Sequence, residues 1–133
     1  MLTRRSPMKR TAMKRSRPRP ALPPAPRARL TERSGGVCEA QLAVCTGRAT
    51  DACHRISRKA GGRPNGEDAR LSNLWHGCRT CHRWATANPE KAYDLGLAQQ
   101  EWQDTRVEPM AYRALGWVLL DDDGGVRSFG DAA

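Results

Sequence analysis

The chain is poor in the residues from which protein cores are built. Aromatic side chains occupy 5% of its 133 positions, and only one of them is phenylalanine. A domain made from such material has a thin core, and thin cores of this size usually need a staple. Long apolar runs are also missing, so no stretch of sequence is fit to cross a bilayer as a helix. No apolar segment follows the basic N-terminus, so no secretory signal is expected and the expected setting is the reducing cytoplasm. Acidic residues are absent from positions 1–30, where ten Lys/Arg stand alone. Over residues 31–133 the remaining thirteen bases meet fourteen acids, so the net charge of +9 belongs to the N-terminal segment.

What is present is cysteine, five residues of it. In a reducing compartment cysteines more often bind metal than pair as disulfides, and an odd number points the same way. Cys78-Arg79-Thr80-Cys81 is a C-x2-C pair, and Cys38 and Cys45 form a looser pair. Tetrahedral zinc takes four soft ligands, delivered as two short-spaced pairs. These four cysteines are therefore the expected ligands of a structural Zn2+.

The sequence predicts a small α+β fold in three parts. Residues 1–30, which include "RPRPALPPAPRAR", read as a disordered basic tail with nothing to bury. Ten cations without an anion repel one another unless a polyanion relieves them, which suits an arm along nucleic-acid phosphates. Residues 31–98 read as the folded unit, with strands near 49–57 and at 36–39, a loop through "SRKAGGRPNGEDARLSN", and a helix from Arg79 to Ala87. Asn88-Pro89-Glu90 is a helix start, with Asn as its cap, and Gly96 a stop after Leu95. Residues 99–133 form a C-terminal extension in which "GWVLLDDDGGVRSF" predicts a hairpin turning at Asp-Gly-Gly. Trp75, Trp84 and Trp102 are expected in the core, and His76 is expected to be structural.

Once zinc is served, Cys53, His54, Asn73 and His82 remain. Cys53 and His54 are neighbours on a predicted strand, so their side chains point to opposite faces and cannot easily share one ion. Arg55, Arg58 and Lys59 follow at once, as cations for adjacent phosphates. Gly61 and Gly62 would let the backbone come close to a duplex.

The frame Cys53-His54, Asn73 and Cys78-x2-Cys81-His82 resembles the HNH endonucleases, whose ββα-metal unit holds one catalytic divalent ion. It is similar in particular to small HNH proteins of phages of actinobacteria, with a basic tail, a "CTGRAT…HR…GG" strand-loop and a "C-x2-CHRW…NPxxAYxxGL" helix pair. The resemblance covers about residues 34–120. It implies hydrolysis of DNA phosphodiester bonds, with His54 as general base, Asn73 as the orienting amide and His82 as a metal ligand. It also implies double-stranded DNA as partner, no small-molecule ligand, and a phage setting in which such proteins work beside the terminase. The family's other ligand, usually His or Asp, falls on Cys53. The ion implied is Zn2+, Mn2+, Ni2+ or Mg2+; sulfur selects soft or borderline ions such as Zn2+ and disfavours Mg2+, so an altered metal preference or reduced activity is expected. The alternative is a weak or inactive zinc-bearing DNA-binding module.

Overall fold

The computed structural model describes residues 22–58 and 64–130. The described part begins with helix α1 (Pro24–Ser34) and then loops through the first cysteine pair to strand β1 (Asp51–His54). Two 3-10 turns, Pro64–Ala69 and Leu71–Asn73, lead into strand β2 (Leu74–Gly77). Helices α2 (Arg79–Ala87) and α3 (Pro89–Asp94) follow, and then strands β3 (Met110–Ala111), β4 (Trp117–Leu120) and β5 (Val126–Ser128). The strands form two small antiparallel sheets, β1-β2 and β3-β4-β5. This is the small α+β architecture that the sequence predicts.

Three expectations need correction. The N-terminal segment does not stay unstructured to residue 30, because α1 begins at Pro24. Proline is tolerated in a first helical turn, and Ala and Arg are strong helix formers. One face of α1 is anchored: Leu30 is buried with Leu71 and Leu74. Arg33 forms a buried ion pair with Glu39 at 2.8 Å and donates to the carbonyls of Leu71 and Leu74 at 2.8 and 2.6 Å. The rest of the expected tail, residues 1–21, lies outside the described residues.

The second correction concerns the sheet. Residues 36–39 form no strand; they make one isolated bridge, Val37 to Arg48. The partner of β1 is β2, with His54 opposite Leu74 and Cys53 opposite Trp75. All four residues of β2 are buried, so it lacks the polar alternation by which a strand is recognised. Third, Asn88 stands at the N-cap of α3 but does not cap it with its side chain. Its side chain makes no bond to that helix and instead donates Nδ2–H to the Trp84 carbonyl at 2.9 Å, closing α2 from behind.

Other elements lie where expected. α2 spans Arg79–Ala87, and α3 ends ahead of Gly96, which takes a φ of 71°. The hairpin forms from β4 and β5, and its turn is tied by Asp121 Oδ1, which accepts from the N–H groups of Asp123 and Gly125 at 2.9 and 2.7 Å. The main core gathers Trp75, Leu97, Met110, Tyr112, Val118 and Leu120 around the cysteines. Trp84 is half-buried and Trp102 is 82% exposed, so the expectation of a core Trp102 fails.

Candidate metal cluster and adjoining histidine cavity

Four sulfurs converge where the loop before β1 meets the start of α2. The Sγ atoms of Cys38, Cys45, Cys78 and Cys81 all lie within 4.8 Å of one another. The Cys45 and Cys78 sulfurs are 3.9 Å apart. Sulfurs at the corners of a tetrahedron with Zn–S bonds of about 2.3 Å sit roughly 3.8 Å apart, so the donor set and spacing fit Zn2+. The two knuckles supply N–H···S bonds: Thr46 and Cys81 N–H to Cys78 Sγ at 3.5 and 3.4 Å, and Gly47 N–H to Cys45 Sγ at 3.3 Å. Burial works to raise the Cys78 pKa, but Thr80 and these N–H groups outweigh it and bring the thiol down to about 5. Burial and the neighbouring sulfurs push Cys45 and Cys81 up. A cation in the cluster would reverse that, because it favours the thiolates. None of the five cysteines forms a disulfide.

Next to the cluster lies a cavity of about 180 Å³, lined by Cys53, His54, Trp75, His82 and Tyr93 among others. His54 comes from β1 and His82 from the first turns of α2. Burial, reinforced by Arg58 and His82, holds the His54 imidazole below its ordinary pKa, with Asp68 acting the other way. His82 Nδ1 lies 2.9 Å from Asp51 Oδ2, and Arg79 Nε donates to the same carboxylate oxygen at 3.0 Å. Desolvation would raise the Asp51 pKa, but hydrogen bonds from His82, Thr50 and Arg79 hold it lowered. A carboxylate on Nδ1 favours the tautomer whose proton sits there, with Nε2 as the ligand nitrogen. The Trp75 ring meets His82 edge-on, with ring centroids 6.3 Å apart.

The Asn73 side chain ties the chain just after β1 to the turns that lead into β2. Its Oδ1 accepts from Ile56 N–H at 2.8 Å, and its Nδ2–H reaches the Asp68 carbonyl at 3.2 Å. Cys53 is 2% exposed, packs in the main core, and lies with Sγ 3.6 Å from the Asp51 carbonyl. Burial raises its pKa strongly, as it does that of Cys81, and a bound cation would favour the thiolate here too. The residue that touches His82 is Asp51, which the sequence reading passed over.

The basic run after His54 divides. Arg55 is 1% exposed and cannot meet a phosphate. Its guanidinium donates to five backbone carbonyls: Gly96, Ser72, Thr105, Glu108 and Pro109. Its expected role on DNA is therefore withdrawn; it is a buried clamp. Arg58 is half-buried and close enough to influence His54, while Lys59, Gly61 and Gly62 lie outside the described residues. His76 is structural as expected, with Nδ1 at 2.7 Å from Ser34 Oγ and its N–H on Glu39.

Among the described residues, the cysteine cluster is the one group of three or more His, Cys, Asp or Glu within ligand distance. No helix among them is long and apolar enough to cross a membrane. No protein-family model, curated protein or solved structure matches the chain.

Proposed function

We propose that this chain is a metal-dependent endonuclease of the HNH type, hydrolysing DNA phosphodiester bonds. The observation that carries the reading is the single cavity shared by His54 and His82, with Asn73 tying down the loop beside it. The succession β1, β2, α2 fits the ββα unit that the sequence resembles. His54, kept neutral by burial, takes a proton from water, and the hydroxide so formed attacks phosphorus in line with the 3′ oxygen. Asp51 holds His82 so that Nε2 faces outward as a ligand. A divalent ion there supplies neutralisation of the scissile phosphate and of the departing oxygen. Cys53 and His82, which line the same cavity, would hold this ion, with the sulfur favouring Zn2+ and disfavouring Mg2+. The cysteine cluster carries structural Zn2+, and the basic N-terminal segment follows phosphates on the DNA. The resemblance further suggests work beside a phage terminase in the host cytoplasm.

Two observations favour a second reading, a zinc-bearing DNA-binding module without activity. Cys53 is a buried thiol where the family's ligand falls, and no second group of three ligands exists among the described residues. A plasmid-nicking assay with Zn2+, Mn2+, Ni2+ and Mg2+, with His54→Ala run alongside, separates the two. Nicking by the native chain that His54→Ala abolishes supports the enzyme. DNA binding without nicking in any metal supports the module. Nicking that survives in His54→Ala removes that residue from the mechanism.

A further inference from the structure

Trp102 stands 82% exposed in a chain that has four tryptophans. The loop that carries it is not loose. Arg55 donates from below to the Thr105 and Glu108 carbonyls, each at 2.9 Å. Ser72 Oγ and Thr105 Oγ1 are hydrogen-bonded at 2.7 Å in the interior. Gln103 Oε1 accepts from Gln100 N–H at 2.7 Å, and Arg106 grips Asp104 through both Nε and Nη2 at 3.1 Å. A large apolar ring is thus presented to solvent on a backbone whose ordering cost has already been met. That is the character of a binding hot spot, not of a core residue that missed its place.

Beside the ring is a cavity of about 190 Å³, whose other walls include Ile56, Asn73, Arg70, Arg106, Glu67 and Asp104. Its two cations are balanced by two carboxylates, so the cavity offers no net attraction to an anion. Its polar walls also suit an apolar peptide or a lipid chain poorly. A flat aromatic face, one aliphatic wall, and both donors and acceptors around the rim suit a neutral planar heterocycle with polar edges: a nucleobase. Ile56 lies two residues beyond His54, so this cavity and the histidine cavity border the same stretch of backbone. In a stacked duplex a base shows only its edges, so a base that presents its face to Trp102 must be unpaired.

We infer that Trp102 is a stacking platform for an unpaired base of the strand held at His54, so that the preferred substrate is single-stranded or locally melted DNA. The inference rests on the nuclease reading for its partner but not on cleavage. The test uses the full chain carrying His54→Ala, so that nothing is cut, and follows anisotropy of labelled twelve-residue oligothymidylate and of a twelve-base-pair duplex at one salt concentration. Trp102→Ala is expected to weaken the single strand roughly tenfold to a hundredfold, the range of one lost base stack. Trp102→Phe should stay within about threefold of the parent, because it keeps an aromatic face. Duplex affinity should be unchanged in both. Circular dichroism checks the fold, which an exposed side chain should not disturb. Equal single-strand affinity in Trp102→Ala, or an equal loss on duplex, overturns the stacking role and leaves the nuclease reading standing. Failure of the parent to bind either DNA overturns both.

Discussion

Replacing Arg55 by methionine decides between two roles for this residue, because the basic run after His54 reads as DNA contact and the fold buries it. Its guanidinium reaches the carbonyls of Gly96, Ser72, Thr105 and Glu108 at 2.8 to 3.0 Å and that of Pro109 at 3.4 Å. Methionine fills much of the volume but leaves these acceptors without a donor. Hydrogen bonds to a charged group contribute about 1.5–3 kcal/mol each, which for four good ones is an upper bound on the loss. Part returns as water reaches the edge carbonyls. The desolvation cost of the cation also disappears, and that cost is visible in an Arg55 pKa that burial, with Arg33 nearby, lowers to about 10. A net loss of about 3–5 kcal/mol is expected, the usual result of breaking a buried charged network. For a domain of this size that is a fall in Tm of about 10–30 °C. The assay is thermal and urea unfolding of the metal-loaded protein by circular dichroism, with Arg55→Lys alongside. Lysine keeps the charge but not the fork, so it should fall between the two. A methionine variant within about 1 kcal/mol of the parent would refute the clamp. Native stability with weakened DNA binding would restore the phosphate contact.

Metal removal is expected to unfold the domain, since the four cysteines tie the loop before β1 to α2; far-ultraviolet circular dichroism during chelator titration, with recovery on adding Zn2+, measures it. Under the proposed mechanism, with His54 as neutral base, the rate of DNA cleavage should be flat near neutral pH and fall on acidification, because the His54 pKa lies below the ordinary histidine value. The same group makes stability decline as pH falls through that window, where the unfolded chain binds the extra proton. Asp51→Asn should lower activity about tenfold to a hundredfold while leaving the cysteine cluster in place and Tm little changed, since besides the hold on His82 it loosens only the exposed contacts with Arg79 and Thr50. An unchanged cleavage rate in that variant would show that Asp51 does not position His82.

Local chemistry made some of this legible. Cys78-x2-Cys81 at a helix start states its geometry within four residues, and the run Asp121 to Gly125 carries its own turn. Gly96 marks the end of α3 because its φ of 71° is open to glycine at little cost. What was hidden depends on distant partners. β2 is four buried residues whose identity as a strand comes from β1, twenty residues earlier in the chain. Arg55 stands in a basic run and looks like surface. Its burial needs carbonyls from segments near Ser72, Gly96 and Thr105, which no window of sequence brings together. Asp51 has an ordinary strand-edge appearance until α2 sets Arg79 and His82 beside it. α1 was masked by its composition, because a helix with one well-buried leucine shows no apolar stripe.

These placements make the cysteine cluster and the histidine cavity one mechanical unit. Cys78 caps α2 through its sulfur, and Cys81 is buried one turn later, so the cluster sets both the start and the rotation of that helix. His82 follows Cys81 directly, and its distance to Asp51 is therefore a consequence of where the four sulfurs sit. On β1 the side chains of Asp51 and Cys53 share a face by alternation, yet only the outer one lies where α2 begins. That is why the carboxylate, and not the thiol, meets the imidazole. It follows that loss of activity on chelation cannot assign an ion to the chemistry, since emptying the cluster would also move His82. The assignment has to come from variants such as Asp51→Asn that leave the four cysteines in place.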